Sequence, residues 1–391
     1  MLIIYTPGHS LYTDTLIMYA LAAAARENLQ RAVGQGVSYI LAFEDLTELE
    51  LAESLRVLFD SVKSEFSGRL ARLIGEERRG EKEKGEKGGE EKEKGKKRKS
   101  DVDSALDSLT RIRELAGYLS SLSEPGHAWE EGRFGRGRSI KLPLMPSAGK
   151  YFRADLTKGK KYDTAEYAVC SYCFAVALLG LAVGTVSMGQ GTTQVVSTLA
   201  FEGEVDGRSL RGLLNSFESL RSSQEELSRI IRVEEIPDRV LGSLLLTRFS
   251  DESIVQLYGT NASWKSLVVR FDVARAVQIR GFTTVELDPV LTAMEKLIEL
   301  EERAKVELER GAVAEGVERL AACRSRFSGL VEKMLSLGAC SALEKLIDFL
   351  ATRNLPTLYA ALRDAYASAN GKLYAGSELV HCLAHLSLEY E

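Results

Sequence analysis

Residues 133–201 read RFGRGRSIKLPLMPSAGKYFRADLTKGKKYDTAEYAVCSYCFAVALLGLAVGTVSMGQGTTQVVSTLAF. Three features follow one another in this stretch. A basic, glycine-punctuated run extends from Arg133 to Lys161. A Cys170-x-x-Cys173 pair then leads into an apolar segment, Phe174 to Val186, and a polar Gly/Thr/Gln loop from Gly184 to Gln194 precedes a strand-like run, Val195 to Glu204. Apolar helix, glycine-rich loop and β-like run in immediate succession predict a mixed α+β architecture.

Toward the N-terminus, Leu2–Tyr5 reads as a strand closed at Pro7-Gly8. Thr13 or Asp14 is a candidate cap for a helix over about 15–32, with Leu16, Tyr19, Ala20 and Ala23 at helical spacing. Gly34 and Gly36 stop it, and Val37–Phe43 reads as a second strand. Thr47 opens a long helix to about Ile74, with Leu51, Leu55, Leu58, Phe59 and Val62 on one face. Residues 75–100, GEERRGEKEKGEKGGEEKEKGKKRKS, contain no apolar residue; a segment that cannot bury apolar surface cannot offset its ordering entropy, so it is expected to be disordered. Helical spacing returns over Val102–Leu122.

Toward the C-terminus, Leu210–Ile231 reads as a helix. Arg239–Phe249, Ile254–Tyr258, Ser266–Val273 and Phe282–Leu287 read as strands of a largely antiparallel sheet. Helical patterns then fill 289–310, 312–337, 341–352, 356–368 and 376–389, a terminal bundle. The fold class is thus α+β: an N-terminal mixed α/β unit, a central largely antiparallel sheet and a C-terminal helical bundle. The expected domains are 1–74 with 101–288, interrupted by the charged insertion 75–100, followed by the bundle 289–391.

The 391 residues suffice for two or three cores, and 45% hydrophobic content is ordinary for a globular chain. No run of 18 apolar residues exists, and the start lacks the basic flank and cleavage site of a signal peptide, so a cytoplasmic protein without membrane contact is expected. Five cysteines do not make a secreted disulfide framework. Five Asn and seven Gln beside abundant Glu, Lys and Arg form a thermophile-like composition, in which internal disulfides do occur.

Charge gives the first functional indication. Between 133 and 161 the bases are Arg133, Arg136, Arg138, Lys141, Lys150, Arg153, Lys158, Lys160 and Lys161, against the single acid Asp155: net +8 within a chain of net −5. Concentrated positive charge on an acidic protein points to a polyanion, and the interleaved Phe134, Tyr151, Phe152 and Tyr162 offer faces on which bases stack. A solvated basic loop is the plainer alternative. Gln190 and Thr192, in a flexible backbone-rich loop, are candidates to approach a phosphate or base edge.

Cys170-x-x-Cys173 is half of a tetrahedral zinc site, a disulfide pair, or two small packed side chains. His381, Cys382 and His385 are the nearest set that could complete a zinc site, with the two histidines on one helix face. No cofactor is otherwise expected. A zinc deaminase is excluded because His127 is followed by Ala128-Trp129-Glu130, off by one, and Val169 replaces the required proline. The loop 184–192 has phosphate-loop spacing up to its second glycine, but Gln190 stands where lysine belongs. For acid–base work the candidates are His9 with Asp14, and His127 in a loop before the basic run. For metal-dependent nuclease chemistry they are Glu44, Asp45, Asp155, Asp163 and Glu166, without motif spacing. A binder rather than a catalyst is expected.

The opening Ile4-Tyr5-Thr6-Pro7-Gly8 and the block Tyr151-Phe152-Arg153-x-Asp155 … Lys161-Tyr162 … Cys170-x-x-Cys173-x-Ala175-x-Ala177-Leu178-x-Gly180-Leu181 resemble the large subunit of archaeal subtype I-A CRISPR surveillance complexes (the Cas-eight-a, or Csa-four, group). The resemblance implies a non-catalytic subunit of a crRNA-guided effector. Its partners would be the other subunits, crRNA and target DNA, and it would help recognise the protospacer-adjacent motif in antiviral defence. The helical C-terminal part would meet other subunits or the displaced strand. A metal-dependent nuclease and a zinc-stapled scaffold are the alternatives.

Overall fold

The structure is a computed structural model, and it describes residues 1–67, 70, 101–127, 169–189, 193–223, 234, 236–273, 277–310, 315–368 and 377–388. The charged insertion 75–100 lies outside the described residues. The chain forms two compact units: Met1–Leu29, Gly36–Val183 and Val273–Ile279 make the first, and Gln30–Gln35, Gly184–Asp272 and Arg280–Glu391 the second.

The chain opens with β1 (Leu2–Tyr5), α1 (Leu11–Ala24), β2 (Leu29–Gln35) and β3 (Ser38–Phe43). The helix predicted over 15–32 therefore starts earlier and ends sooner, and Ala32 and Gly34 belong to a strand. Ser10, not Thr13 or Asp14, caps α1, its Oγ accepting the Thr13 N–H at 3.2 Å. Asp14 turns back instead and accepts from the Gly8 and Ser10 amides at 2.7 and 3.0 Å. In the first unit β1 and β3 pair antiparallel, Leu2 opposite Phe43 and Tyr5 opposite Ile40. Thr15 Oγ1 donates to the Leu11 carbonyl at 2.6 Å, so the buried Tyr39 hydroxyl, 2.9 Å away, donates to Thr15.

α2 (Glu48–Ser67) begins where Thr47 predicts, in a capping box: the Glu50 carboxylate accepts the Thr47 amide at 2.8 Å and Thr47 Oγ1 accepts the Glu50 amide at 3.3 Å. Its Leu51, Leu55 and Phe59 are buried. The single helix expected over 102–122 is two, α3 (Asp101–Ser108) and α4 (Ile112–Ser120), after which the Leu122 carbonyl accepts the Tyr5 amide at 2.8 Å. α5 (Ser171–Val183) is buried from Cys173 to Val183, as α1 is from Tyr12 to Ala23. Helices apolar on every side need neighbours on every side, and α1 and α5 answer by packing on each other.

In the second unit the strand order is β2, β5, β6, β7, with β4 also on β5. β4 (Val186–Met188) and β5 (Thr193–Asp206) run antiparallel, Val186 opposite Ser197; thus part of the expected 184–194 loop is a buried strand. β2 pairs with the far end of β5, Arg31 opposite Asp206. Asp206 caps α6 (Gly207–Ser222), accepting from the Ser209 amide at 3.0 Å.

Arg239–Phe249 and Ile254–Tyr258, expected as strands, are helical: α7 (Asp238–Arg248), which Phe249 caps, and α8 (Asp251–Tyr258). Val240 to Thr247 are all buried, so no polar face marks the helical period. β6 (Asn261–Val273) and β7 (Val277–Glu286) are strands where strands were read, each beginning five residues earlier than the sequence suggests. Lys265 on β6 stands 3.6 Å from both Glu202 on β5 and Glu286 on β7, an ion-pair ladder across three strands.

The C-terminal helical cluster comprises α9 (Asp288–Glu309), α10 (Glu315–Leu320), α11 (Cys323–Ser336), α12 (Cys340–Thr352), α13 (Leu355–Ser368) and α14 (Ser377–Leu388). The helix read over 312–337 is α10 and α11. A disulfide between Cys323 and Cys382 joins α11 to α14. The fold is α+β as the sequence predicts, with an antiparallel sheet followed by a helical cluster. Among the described residues no helix is long and apolar enough to cross a membrane.

Candidate functional site

Arg133, Arg136, Arg138, Lys141, Lys150, Arg153, Lys158, Lys160 and Lys161 lie outside the described residues, as do Gln190, Thr192, Asp155, Asp163 and Glu166. What is described is the ground on either side of the basic run: Gly126 and His127 before it, and Val169 to Cys173 after it. These two ends meet.

Cys170 opens α5. Its carbonyl accepts the Phe174 amide at 3.1 Å, and its Sγ takes the position of a capping oxygen, 3.3 Å from the Cys173 amide. Three residues on, Cys173 points inward, fully buried, with Sγ 3.3 Å from the Tyr118 hydroxyl. The Tyr118 ring stacks on Tyr172 at 5.4 Å between centroids and meets the His127 ring edge-on at 5.5 Å. Gly126 adopts φ 101°, a left-handed turn that a side chain would strain, and delivers His127 into this corner.

The tautomer of His127 follows from its neighbours. Ser121 Oγ donates to the Tyr118 carbonyl at 2.6 Å, which can only accept. Its remaining role toward His127 Nδ1, at 3.3 Å, is that of acceptor. Nδ1 therefore carries a proton, and Nε2 faces Cys170 Sγ at 3.8 Å. The Nε2, Cys170 Sγ and Cys173 Sγ atoms all lie within 4.8 Å of one another.

The two thiols differ. Contact with Cys173, and then with His127, brings the Cys170 thiol down to about 5 against the opposing effect of burial. Burial, and then the neighbouring Cys170, holds the Cys173 thiol well above its ordinary value. The two sulfurs are coupled, and the thiolate is favoured at Cys170 over Cys173. Both cysteines are free thiols rather than a disulfide. The cluster can act as a soft-metal ligand set or as a thiolate nucleophile.

A cleft of about 480 Å³ borders Gly126, lined also by Tyr5, Thr6, Pro7, Gly8 and Pro125. One of the two sequence blocks that carry the family resemblance thus lines this cleft, and the other supplies both cysteines. Below it, burial raises the Asp14 carboxyl to about 6 although backbone amides and Thr6 hydrogen-bond to it. Asp14 holds this turn through the Gly8 and Ser10 amides. Near Glu44 and Asp45 the structure shows backbone interactions, Asn28 Nδ2 donating to their carbonyls at 2.9 and 3.4 Å.

His381 and His385 do share one face, with Nε2 atoms 3.3 Å apart. Cys382, however, is bonded to Cys323, so its sulfur is not available to complete a site with Cys170 and Cys173. Sequence reading named His127 only as an acid–base candidate and missed its place beside the two cysteines. This histidine stands 43 positions before Cys170, and no local spacing links the two.

No curated protein matches the chain in sequence. The family model described as CRISPR-associated protein (Cas_Csa4) matches residues 2–386, through both units and the Cys–His corner, and the chain belongs to that CRISPR-associated family.

Proposed function

We propose that this protein is a non-catalytic, nucleic-acid-binding large subunit of a subtype I-A CRISPR effector, assisting protospacer-adjacent-motif recognition and target DNA binding in the cytoplasm. The observation that carries the reading is membership of a CRISPR-associated family over nearly the whole chain. The net +8 of residues 133–161 in a chain of net −5 supports it, because phosphate contact is what concentrated base on an acidic protein serves. Guide pairing reads the target sequence, while the protein reads a short duplex motif and the backbone. Arg133, Arg136, Arg138, Lys141, Lys150, Arg153, Lys158, Lys160 and Lys161 contact phosphates in this reading, and Gln190 and Thr192 lie near the duplex. Other effector subunits and crRNA are its partners.

A gel-shift titration with duplex DNA over a range of salt tests this reading. Arg136, Arg138, Lys158, Lys160 and Lys161 changed together to Glu should abolish binding without moving the melting temperature. Each lost phosphate contact removes about 0.9 from the log–log salt slope, so five flatten it by about 4–5. Unaltered affinity removes the assignment. Incubation of labelled DNA and RNA with Mg²⁺ or Mn²⁺ should give no cleavage; cleavage lost on Asp163→Ala would replace the binder by a nuclease.

A further inference from the structure

We propose that His127, Cys170 and Cys173 hold a zinc ion that fastens together the two ends of the segment carrying the basic run. The donor set, two sulfurs and one imidazole nitrogen, is the soft-to-borderline set that selects zinc over the hard cations magnesium and calcium. Zn–S bonds of about 2.3 Å and a Zn–N bond of about 2.0–2.1 Å, at tetrahedral angles, put N and S about 3.6 Å apart and the two sulfurs about 3.8 Å apart. The observed Nε2–Sγ separation is 3.8 Å, and the third donor lies within 4.8 Å of both. Contraction of at most about 1.2 Å closes the site.

The surroundings fit a ligand role. The imidazole is held in the Nδ1–H tautomer by Ser121, itself locked by the Tyr118 carbonyl, which leaves Nε2 as the coordinating atom. A fixed outer partner of this kind is what metal-bound histidines use. Cys170 is held at the start of α5 and Cys173 one turn in, so both sulfurs are placed by helix geometry rather than by loops. Tyr118 covers Cys173, and His127 and Cys173 are buried. Three protein donors leave one tetrahedral position for water or a further side chain. Burial of this corner favours a structural ion over an exposed catalytic one.

Position in the chain gives the site its role. His127 and Cys170 are 43 residues apart, and every member of the basic run falls between them. An ion at this point ties His127 to Cys170 and Cys173, the described residues on either side of that segment. The proposal does not require the nucleic-acid reading, and metal content is measured without nucleic acid, so the two can fail separately.

The full-length chain, purified without chelator, is expected to carry one zinc per molecule by elemental analysis. Cobalt(II) titrated into the metal-stripped, thiol-reduced chain should give thiolate-to-cobalt charge-transfer absorption with the intensity of two sulfur ligands. Cys170→Ser with Cys173→Ser should abolish it; His127→Gln should shift the visible ligand-field bands. Ser121→Ala should weaken cobalt affinity about 10–100-fold. Cys340→Ser and His381→Ala/His385→Ala should leave stoichiometry and spectrum unchanged. The titration of the unaltered chain depends on no variant folding. Absence of both zinc and charge-transfer absorption there overturns the proposal, and so does a wild-type cobalt spectrum in folded His127→Gln.

Discussion

Gly180 lies against the backbone of Leu16 so closely that a methyl group on Gly180 would stand 1.7 Å from the Leu16 carbonyl oxygen. This is backbone-to-backbone contact between α5 and α1, the two helices that are apolar on every side. No side-chain rotation relieves it. Gly180→Ala must therefore push the helices apart, costing about 3 kcal/mol or more, the upper end of overpacking effects. Urea denaturation should show the loss in the transition of the first unit. A variant as stable as the parent would mean that the two helices are not in contact at this point.

The Cys323–Cys382 disulfide spans 59 residues. Chain-entropy arguments give a loop of that size about 4 kcal/mol of stabilisation. Cys323→Ser with Cys382→Ser should lower the stability of the helical cluster by up to that amount, and reducing agent should do the same to the parent. Equal denaturation curves with and without reductant would show that the bond does not constrain the unfolded chain.

Arg324 is 5% exposed and acts as a cap for the end of α7, its Nη2 donating to the Thr247 and Phe249 carbonyls at 3.0 and 3.1 Å. It also bonds the Ser328 hydroxyl, and Asp251 stands 3.4 Å from Nε. Burial lowers its pKa, a sign of how much desolvation these partners must offset. Arg324→Met leaves the helix-end carbonyls without their donor and should cost about 3–5 kcal/mol. Arg324→Lys should recover little, since one ammonium cannot reproduce the planar fork. A loss within the roughly 0.5 kcal/mol of ordinary surface substitutions would refute the role.

Asp14 makes an unusual contribution to the pH profile. Burial raises its pKa from 3.8 to about 6, so the folded protein keeps a proton that the unfolded chain has already released. The associated stability is complete below the unfolded value, is lost as pH rises from about 4 to about 6, and is flat above that. A shift of this size corresponds to about 3 kcal/mol. Relative to Asp14→Asn, the parent should lose about 2 kcal/mol of that stability between pH 4 and pH 6.5 in denaturant titrations. A difference between the two proteins that does not vary with pH would show that Asp14 titrates normally.

The elements that could be read in the sequence are those with an interface between two environments. α2 shows its buried stripe and its Thr47–Glu50 box; β3, β5 and β6 show their β-rich runs between turn residues. α7 defeated the same reasoning because Val240 to Thr247 are buried on every side, and an apolar run without a polar face fits strand and helix alike. Ala32 and Gly34 in β2 were lost to the helix before them, because LQRAVGQ over Leu29–Gln35 does not alternate apolar and polar residues. The site divides similarly. Cys170 and Cys173 announce themselves by spacing, but His127 reaches them across 43 residues, and Cys323 reaches Cys382 across 59. Pairings at such distances exist only once the chain has folded.

The way the chain threads its two units bears on how it can be made. The first unit borrows Val273–Ile279 from late in the sequence, and the second borrows Gln30–Gln35 from near its start. A ribosome that has emitted the first 183 residues has not yet delivered everything the first unit contains. Meanwhile the edge of β2 that pairs with β5 must wait for β5 to emerge more than 150 residues later. Severing the polypeptide once, at any peptide bond, cannot yield two intact halves, so fragment complementation rather than isolated expression is the route to studying either half.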